Sequence, residues 1–591
     1  MKIRNNKQIK GLRIPECKQS KLNEVKISQL ADDTTLFVDS IQSGNEAMKE
    51  IKAFGTYAGP KLNFAKTQAL YLNGNFDECV DGLQWSEEPV KYLGVFMNVN
   101  GQNFENLNWY RKIDKIKRII NMWKMRNLTY YGKITIIKAL LISQIIYVAT
   151  VYTVPSKFII DINKILFSFL WNSKREKVKR GVIINTSKAG GLDMVDIESK
   201  IKSLRLSWLS KFVDDHPRPW KNIFNFWLQK IIVPPTCFSI NCSVKDMLRL
   251  CKKFDIIPFY RDLLLYWAEI RHVDLLCVKN IGEEFLWFNS NIKSQSEMLV
   301  YKQWSDSGIN NVSDVIVNGI WVEQTRINDI LQSNSLLVSF QYQKLKHAFP
   351  QIWLEKLRNQ AHGNEENRQH VVEIPICNGI DILRTKAKVF YSLFIKMKVS
   401  EPNMIYIWQR KLDLPHTFEW EPVFDFKLSK LEFNKIRQFN FKLINNILPF
   451  KDNLLKWKIS TDAQCKSCNN NESLLHNLLY CPKVRNVWMK IKNLIYECTG
   501  EDITIDEQML VVGYNIDKNE YSFINLIINF MEYSIYKVYL LENYRNKRFN
   551  TLFIEKDFKN EFLFYCNYIA SKKCDPTIDE KIKSVQNFYT M

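Results

Sequence analysis

Two adjacent aspartates near the start of the chain are the first residues that could do chemistry. Asp32 and Asp33 interrupt the stretch KISQLADDTTLFV, whose flanks alternate like two short strands joined by a tight turn. Carboxylates at a hairpin tip are suitable ligands for Mg²⁺, and nucleotidyl transfer uses two such ions about 3.5–4 Å apart. Because aspartate is also a favoured turn residue, the pair taken alone predicts an ordinary turn more readily than half of a metal site.

A second constellation lies in the stretch CKSCNNNESLLHNLLYC near the other end of the chain. Cys465, Cys468, His476 and Cys481 offer three thiolates and one imidazole, enough to close a tetrahedral zinc site. The competing interpretation is a chance grouping among 13 cysteines and seven histidines. Since four protein ligands leave no position open for a catalytic water, the spacing predicts structural Zn²⁺.

The charge balance favours a polyanionic partner, with a solvated basic protein as the alternative. The chain has 83 Lys and Arg against 62 Asp and Glu, a net charge of +21. Cations concentrate between Tyr110 and Lys138, where Asp114 is the one acidic residue. Hydrophobic residues recur there with a period of 3.6, so the segment predicts an amphipathic helix with a basic outer face.

The elements that position these residues change along the chain. Strand patterns dominate residues 1–100, with one helix predicted within Gly44–Pro60 and further strands in KLNFAKTQALYL and VKYLGVFM. Helical patterns follow from about Asn108 onward. The apolar run Ala139–Pro155 contains polar residues and predicts a buried helix and no membrane span. With irregularly spaced cysteines and no apolar leader segment, we expect an intracellular protein of the nucleus or cytoplasm, neither secreted nor membrane-bound.

Several motifs in order resemble the reverse transcriptases of LINE-type (non-LTR) retrotransposons. These are ADDTTLF, AGPKLNFAKTQAL and WSEEPVKYLGV, which resemble the family's palm, and MWKMRNLTYYGKITIIKALLISQIIYVATVYTVP, which resembles its thumb. FLWNSKREKVKRGVIINTSKAGGLDMVDI resembles the segment after the thumb, and the cysteine segment resembles the zinc-binding domain that follows. The resemblance implies an α+β, mainly helical fold with a truncated right-hand polymerase palm, a small antiparallel sheet and a helical thumb.

The resemblance also implies roles for individual residues. Asp32 and Asp33 would be catalytic ligands of Mg²⁺, two ions being held in an intact palm, and Cys465, Cys468, His476 and Cys481 would hold Zn²⁺. The partners would be RNA and DNA, as template and primer. The residues implied to contact the nucleotide or the template–primer are Lys61, Lys66, Arg111, Lys112, Lys115, Arg126 and Lys133.

Five regions are expected in chain order. They are a partial palm over 1–107, a helical thumb and post-thumb region over 108–235, a helical linker region over 236–430, a zinc-binding domain over 431–520 and a helical tail over 521–591.

Two departures from the family pattern shape the expected function. Leu30 stands where the family has Tyr or Phe, and the family places another catalytic aspartate and a nucleotide-binding segment well before this hairpin. We therefore expect a fragment of an RNA-directed DNA polymerase that is inactive as an isolated chain. The alternatives are a non-catalytic nucleic-acid-binding protein that uses the basic thumb and the zinc domain, or a transposon relic without function.

Overall fold

The computed structural model describes most of the chain. The described residues are 2–14, 24–31, 33–59, 62–72, 80–83, 85–86, 89–97, 106–214, 216, 218–231, 240–272, 274–278, 280–361, 376–377, 380–381, 385–545, 550–573 and 576–588. Among the predicted site residues, Asp32 and Lys61 lie outside this part.

Helices dominate, as expected for a mainly helical α+β chain. They are α1 (Lys2–Asn5), α2 (Ile41–Ala58), α3 (Arg111–Lys124), α4 (Tyr130–Ile136), α5 (Ser143–Val151), α6 (Ser156–Leu170), α7 (Arg180–Ile184), α8 (Ile197–Val213), α9 (Pro219–Ile231), α10 (Val244–Lys253), α11 (Pro258–Arg271), α12 (Lys302–Asp306), α13 (Gln324–Leu331), α14 (Leu336–Ala348), α15 (Gln351–Ala361), α16 (Ala387–Lys396), α17 (Met404–Lys411), α18 (Glu421–Phe424), α19 (Asn434–Ile444), α20 (Lys451–Lys456), α21 (Pro482–Thr499), α22 (Glu507–Val511), α23 (Ser522–Arg545), α24 (Thr551–Lys573) and α25 (Pro576–Phe588).

The strands form six separate antiparallel pairs in the described part of the chain. They are β1 (Leu12–Arg13) with β2 (Glu24–Val25), β3 (Ile27–Leu30) with β4 (Asp33–Leu36), β5 (Val90–Tyr92) with β6 (Val95–Met97), β7 (Lys293–Ser294) with β8 (Glu297–Met298), β9 (Ile316–Val317) with β10 (Ile320–Trp321), and β11 (Ile376–Cys377) with β12 (Ile380–Asp381). Small antiparallel sheets are therefore confirmed, whereas the palm and thumb arrangement stays a prediction.

The two hairpins predicted near the N-terminus are present. In the first, Leu30 pairs with Asp33 across the turn. In the second, Leu93 and Gly94 form the turn with φ of 45° and 84°. Positive φ at both central residues suits the right-handed twist of a hairpin, and glycine adopts it without steric cost.

Other local predictions need correction. The segment KLNFAKTQALYL was predicted as a strand, but its described part contains a short 3₁₀ turn over Phe64–Lys66. The Asn63 side chain accepts a hydrogen bond from the Lys66 backbone N–H and so favours the turn. The helix predicted within 44–60 begins earlier, at Ile41 after the capping residue Ser40, and Gly55 lies inside it. Strands were expected within 1–100, yet three of the six pairs lie beyond residue 290.

The described residues fall into two compact units, each built from separate stretches of chain. The first unit comprises Met1–Lys115, Gln144–Ile160 and Ile197–Phe394, and the second comprises Ile116–Ser143, Asp161–Asp196 and Ile395–Met591. No single described helix has the length and hydropathy for a membrane span; the pair Tyr130–Leu141 and Ser143–Val151 meets that test only when its two bent parts are counted together.

The core of the first unit is built around tryptophans. Trp267, Trp287, Trp304 and Trp353 are almost completely buried within one hydrophobic cluster. The indole N–H of Trp287 donates to the Ile309 carbonyl at 2.8 Å, so that the ring is buried without leaving its polar atom unpaired.

The core of the second unit is helical and includes α19, α21, α23 and α24. Asn440 and Asn529 exchange hydrogen bonds inside it, at 3.2 and 2.9 Å. Buried amides of this kind are tolerated because each supplies the other's partner. This unit carries the cysteine segment.

Candidate metal centre and nucleic-acid interface

The four predicted zinc ligands come together in the second unit. Cys465, Cys468, His476 and Cys481 each offer a ligand atom, and these atoms all lie within 4.8 Å of one another. The Sγ atoms of Cys465 and Cys481 are 4.0 Å apart, and Cys468 Sγ lies 3.3 Å from His476 Nε2. Zn–S and Zn–N bonds of about 2.3 and 2.0–2.1 Å give tetrahedral edges of about 3.8 and 3.6 Å. The observed separations fit a closed zinc site.

The first two ligands lie on a tight loop. The Cys465 backbone N–H donates to the Asn470 carbonyl at 2.8 Å, and the Asn469 N–H donates back to the Cys465 carbonyl at 2.9 Å. Asn469 adopts a φ of 60°, which asparagine tolerates better than most residues. The Ser467 N–H points at Cys465 Sγ at 3.4 Å, an arrangement that stabilises a thiolate.

The other two ligands flank one wide helical turn. His476–Tyr480 forms a π-helical turn, and the Cys481 N–H donates to the His476 carbonyl at 2.7 Å. Cys481 is the N-cap of α21, with Pro482 in the first turn. The positive end of a helix dipole favours a thiolate at this position. Trp488 fixes the turn from α21, because its indole N–H donates to the Leu478 carbonyl.

Electrostatics within the cluster favour a bound cation. Burial above all, together with the nearby Cys465 and Cys468, raises the pKa of the Cys481 thiol to about 12 against the opposing effect of the Lys483 backbone N–H. Burial lowers the pKa of His476, which favours the neutral imidazole that binds a metal. Closely packed thiols resist joint ionisation, whereas a divalent metal stabilises the thiolate forms. When bound, Zn²⁺ would cross-link the loop to α21.

Sequence reasoning missed the residue that anchors this loop. Glu472 is 1% exposed and lies between the second cysteine and the histidine. Its carboxylate accepts hydrogen bonds from the Tyr539 hydroxyl at 2.6 Å and the Lys451 backbone N–H at 3.0 Å. These bonds tie the loop to α23 and α20. An acidic residue among asparagines gave no signal of this role, since its partners are distant in sequence.

The predicted magnesium hairpin is only partly described. Asp33 begins β4 and is exposed, next to Leu30 on the paired strand, whose side chain is 62% exposed. Within the described residues, the four zinc ligands form the one group of three or more potential metal-ligating side chains. The role of Asp32 and Asp33 in binding Mg²⁺ stays a prediction, and so do the roles of Lys66, which is exposed, and Lys61.

The predicted basic helix exists as α3. Ile113, Ile116 and Ile120 are buried along one side of it, while Arg111 and Lys115 are exposed. In the described part of the chain, most of the cations on this outer face form no ion pair with an acidic residue. Lys112 is half-buried, and its pKa is lowered first by burial and then by Lys115 and Lys91. Beyond the helix, Arg126 places its guanidinium over the Trp123 ring, 4.8 Å from the centroid. The exposed side of α3 therefore carries a positive charge.

Lys133 requires a correction. It was predicted to contact the template, but only 4% of it is exposed. Its ammonium donates to the carbonyls of Phe169 and Leu170 at 2.9 and 3.1 Å, and also to the Asn172 side chain. These carbonyls lie at the C-terminal end of α6, where the helix dipole favours a cation. The ammonium supplies a donor to carbonyls in the last turn of the helix. Lys133 thus caps a helix and does not reach a ligand at the surface.

Comparisons with known proteins agree with the site. A family model described as the zinc-binding domain in reverse transcriptase matches residues 413–488, which include all four ligands. The chain is 20% identical over 533 residues to an uncharacterized 149 kDa protein of transposon TX1 from Xenopus laevis. That alignment covers 80% of this chain and 38% of the relative, so the chain spans less than half the length of the protein it matches. The resemblance to the C-terminal region of a LINE-type reverse transcriptase is confirmed, and with it a zinc-binding domain of this family.

Proposed function

We propose that the chain is part of a retrotransposon RNA-directed DNA polymerase and binds the RNA and DNA of the template–primer. The observation that carries the proposal is the closed Cys₃His cluster inside the match to a reverse-transcriptase zinc-binding domain. The positive face of α3 supplies contacts to phosphates, whose neutralisation by lysine and arginine releases condensed counterions. Zn²⁺ has a structural role, because four protein ligands complete its coordination.

Asp32 and Asp33 would supply Mg²⁺ ligands to the polymerase site of the whole protein. A two-metal site needs carboxylates that grip both ions, so that the attacking and leaving oxygens are stabilised together. Asp33 belongs to no group of three metal-ligating side chains in the described part of the chain. As expected from the sequence, we propose that the 591-residue chain by itself does not extend primers. Template-dependent DNA synthesis by this chain with Mg²⁺ or Mn²⁺ would overturn that part of the proposal.

Binding is tested with a fluorescent RNA–DNA hybrid and the zinc-loaded chain. Anisotropy at about 50 mM salt should show saturable binding that weakens steeply as salt rises, because released counterions drive the association. Replacing Arg111, Lys112 and Lys115 together by glutamine should weaken binding and flatten the dependence on salt. No binding at about 50 mM salt, where electrostatic association is strong, would reject the proposed function.

A further inference from the structure

A small groove in the second unit is lined by cations and lacks acidic residues. It lies between α3 and α6 and has a volume of about 340 Å³. Lys117, Lys124 and Lys164 stand at its edges with exposed side chains, and buried Phe169 forms part of its floor. The groove is open to solvent and its volume is at the lower end for pockets that hold small molecules.

More lysines lie in the same unit, and the charges of Lys442 and of Lys124 at the groove both act on buried Lys133. Lys174 and Lys177 follow α6, and Lys442 lies on α19. The charge of Lys174 acts on both Lys177 and Lys442. The six residues Lys117, Lys124, Lys164, Lys174, Lys177 and Lys442 are called the lysine track below.

The lysine track lacks acidic partners among the described residues. None of its six side chains takes part in an ion pair there, although neighbouring Arg180 pairs with Glu176 at 2.6 Å. Burial and the nearby lysines lower the pKa of Lys177 and of Lys442 to about 8. Grouping like charges without counter-charges costs free energy, and a bound anion would remove that cost.

Aromatic rings accompany the cations. The Lys177 ammonium lies over the ring of half-buried Trp457, and the Lys442 ammonium lies 5.3 Å from the centroid of Tyr130. Tyr130 also packs against Trp171 and Phe441. The stacking role that aromatic rings have in proteins that hold single-stranded nucleic acid therefore falls to half-buried Trp457.

We propose that the lysine track binds the phosphates of one unpaired strand of nucleic acid. The inference rests on the proposed function for the class of ligand, and adds a separate surface from the Arg111–Lys115 part of α3. Each phosphate of the strand would meet one or two ammonium groups, with an apolar floor beneath the sugar. Most of the track lies outside the segment that the sequence singled out as the basic thumb helix.

The test compares two variants that lose the same charge. The track variant is Lys124→Gln/Lys164→Gln/Lys174→Gln, and the control variant Lys411→Gln/Lys556→Gln/Lys583→Gln removes three exposed lysines of the same unit. Binding of a single-stranded 20-nucleotide RNA is measured by anisotropy across a series of salt concentrations. Losing three phosphate contacts should flatten the log–log salt dependence by about 2, at about 0.7 per contact, while the control variant retains the wild-type slope.

The outcomes separate this inference from the proposed function. Wild-type binding with equal slopes for the track and control variants would overturn the lysine track alone. A track variant that weakens binding of the RNA–DNA hybrid as much as binding of the single strand would also overturn it, because the proposal assigns the track to an unpaired strand. Absence of all binding by the wild-type chain would overturn both. If the triple variant loses its circular dichroism signal, the three single variants are measured, and each should lower the slope by about 0.7.

Discussion

At the scale of the residue, spacing alone located the zinc ligands and failed for the lysines. Four potential zinc ligands lie within 17 residues, so Cys465 and Cys481 could be assigned to one metal site from the sequence. Lys133 lies in an equally dense run of cations, yet its ammonium turns inward to α6. A lysine that caps a helix and a lysine that binds phosphate look alike in sequence, because the difference lies in contacts made 36 residues away.

The zinc ligands give the first prediction. Cys465→Ser with Cys468→Ser should remove the bound zinc, about one ion per chain, because two of four ligands are lost. The melting temperature should fall with it, since metal binding free energy is folding free energy in such sites. Metal content is measured by inductively coupled plasma mass spectrometry. Cys277→Ser is the control, as Cys277 is an exposed free cysteine; a double variant that keeps its zinc would contradict the assignment.

The lowered lysine pKa values predict a dependence of RNA binding on pH. Lys177 and Lys442 have pKa values of about 8 instead of 10.5. They are charged below that pH and become neutral as the pH rises through it. Affinity for single-stranded RNA should therefore fall from about pH 7 to about pH 9, and Lys177→Gln/Lys442→Gln should reduce the change.

The same two lysines bind fewer protons in the folded state than in the unfolded state between about pH 8 and 10.5. Their contribution to the free energy of unfolding therefore increases with pH in that window.

At the scale of the element, periodicity predicted the long helices well and the irregular segments badly. The basic helix and the α2 helix were predicted because their apolar residues recur with the helical period. The stretch that became a 3₁₀ turn at Phe64–Lys66 alternates like a strand, but a side-chain cap from Asn63 decided its conformation. Local hydrogen bonds of this kind override a weak hydrophobic pattern.

The end of α6 gives an element-scale prediction. Lys133→Met keeps the length of the side chain but leaves the carbonyl of Leu170 without its donor, and that of Phe169 with only the long bond from the Asn172 N–H at 3.4 Å. Unfolding in urea should show a loss of about 1–3 kcal/mol, the cost of an unpaired buried acceptor. Lys138→Met, at an exposed position nearby, should change stability by no more than about 0.5 kcal/mol.

RNA binding by the Lys133→Met variant separates the two roles of this lysine. A folded variant should retain the wild-type salt dependence, because the ammonium faces backbone carbonyls and not solvent. A stable variant that binds RNA with a flatter salt dependence would restore the original prediction that Lys133 contacts the template.

At the scale of the whole molecule, the sequence does not show how separate stretches of the chain assemble. Five regions were expected one after another, and that division stays a prediction. The two compact units instead draw on three separate stretches of chain each. Long-range packing brings Lys442 to the lysine track and Tyr539 to Glu472. Such contacts depend on tertiary structure, and no local pattern in one sequence carries them.

The central proposal is that α3 and the zinc-bearing second unit hold nucleic acid. The most direct test is ultraviolet cross-linking of the wild-type, zinc-loaded chain to RNA that contains 4-thiouridine, followed by mass spectrometry of the attached peptides. We expect the cross-links to lie in α3 and in residues 116–143, 161–196 and 395–591. Cross-links confined to residues 1–110, 144–160 and 197–394 would contradict the proposal.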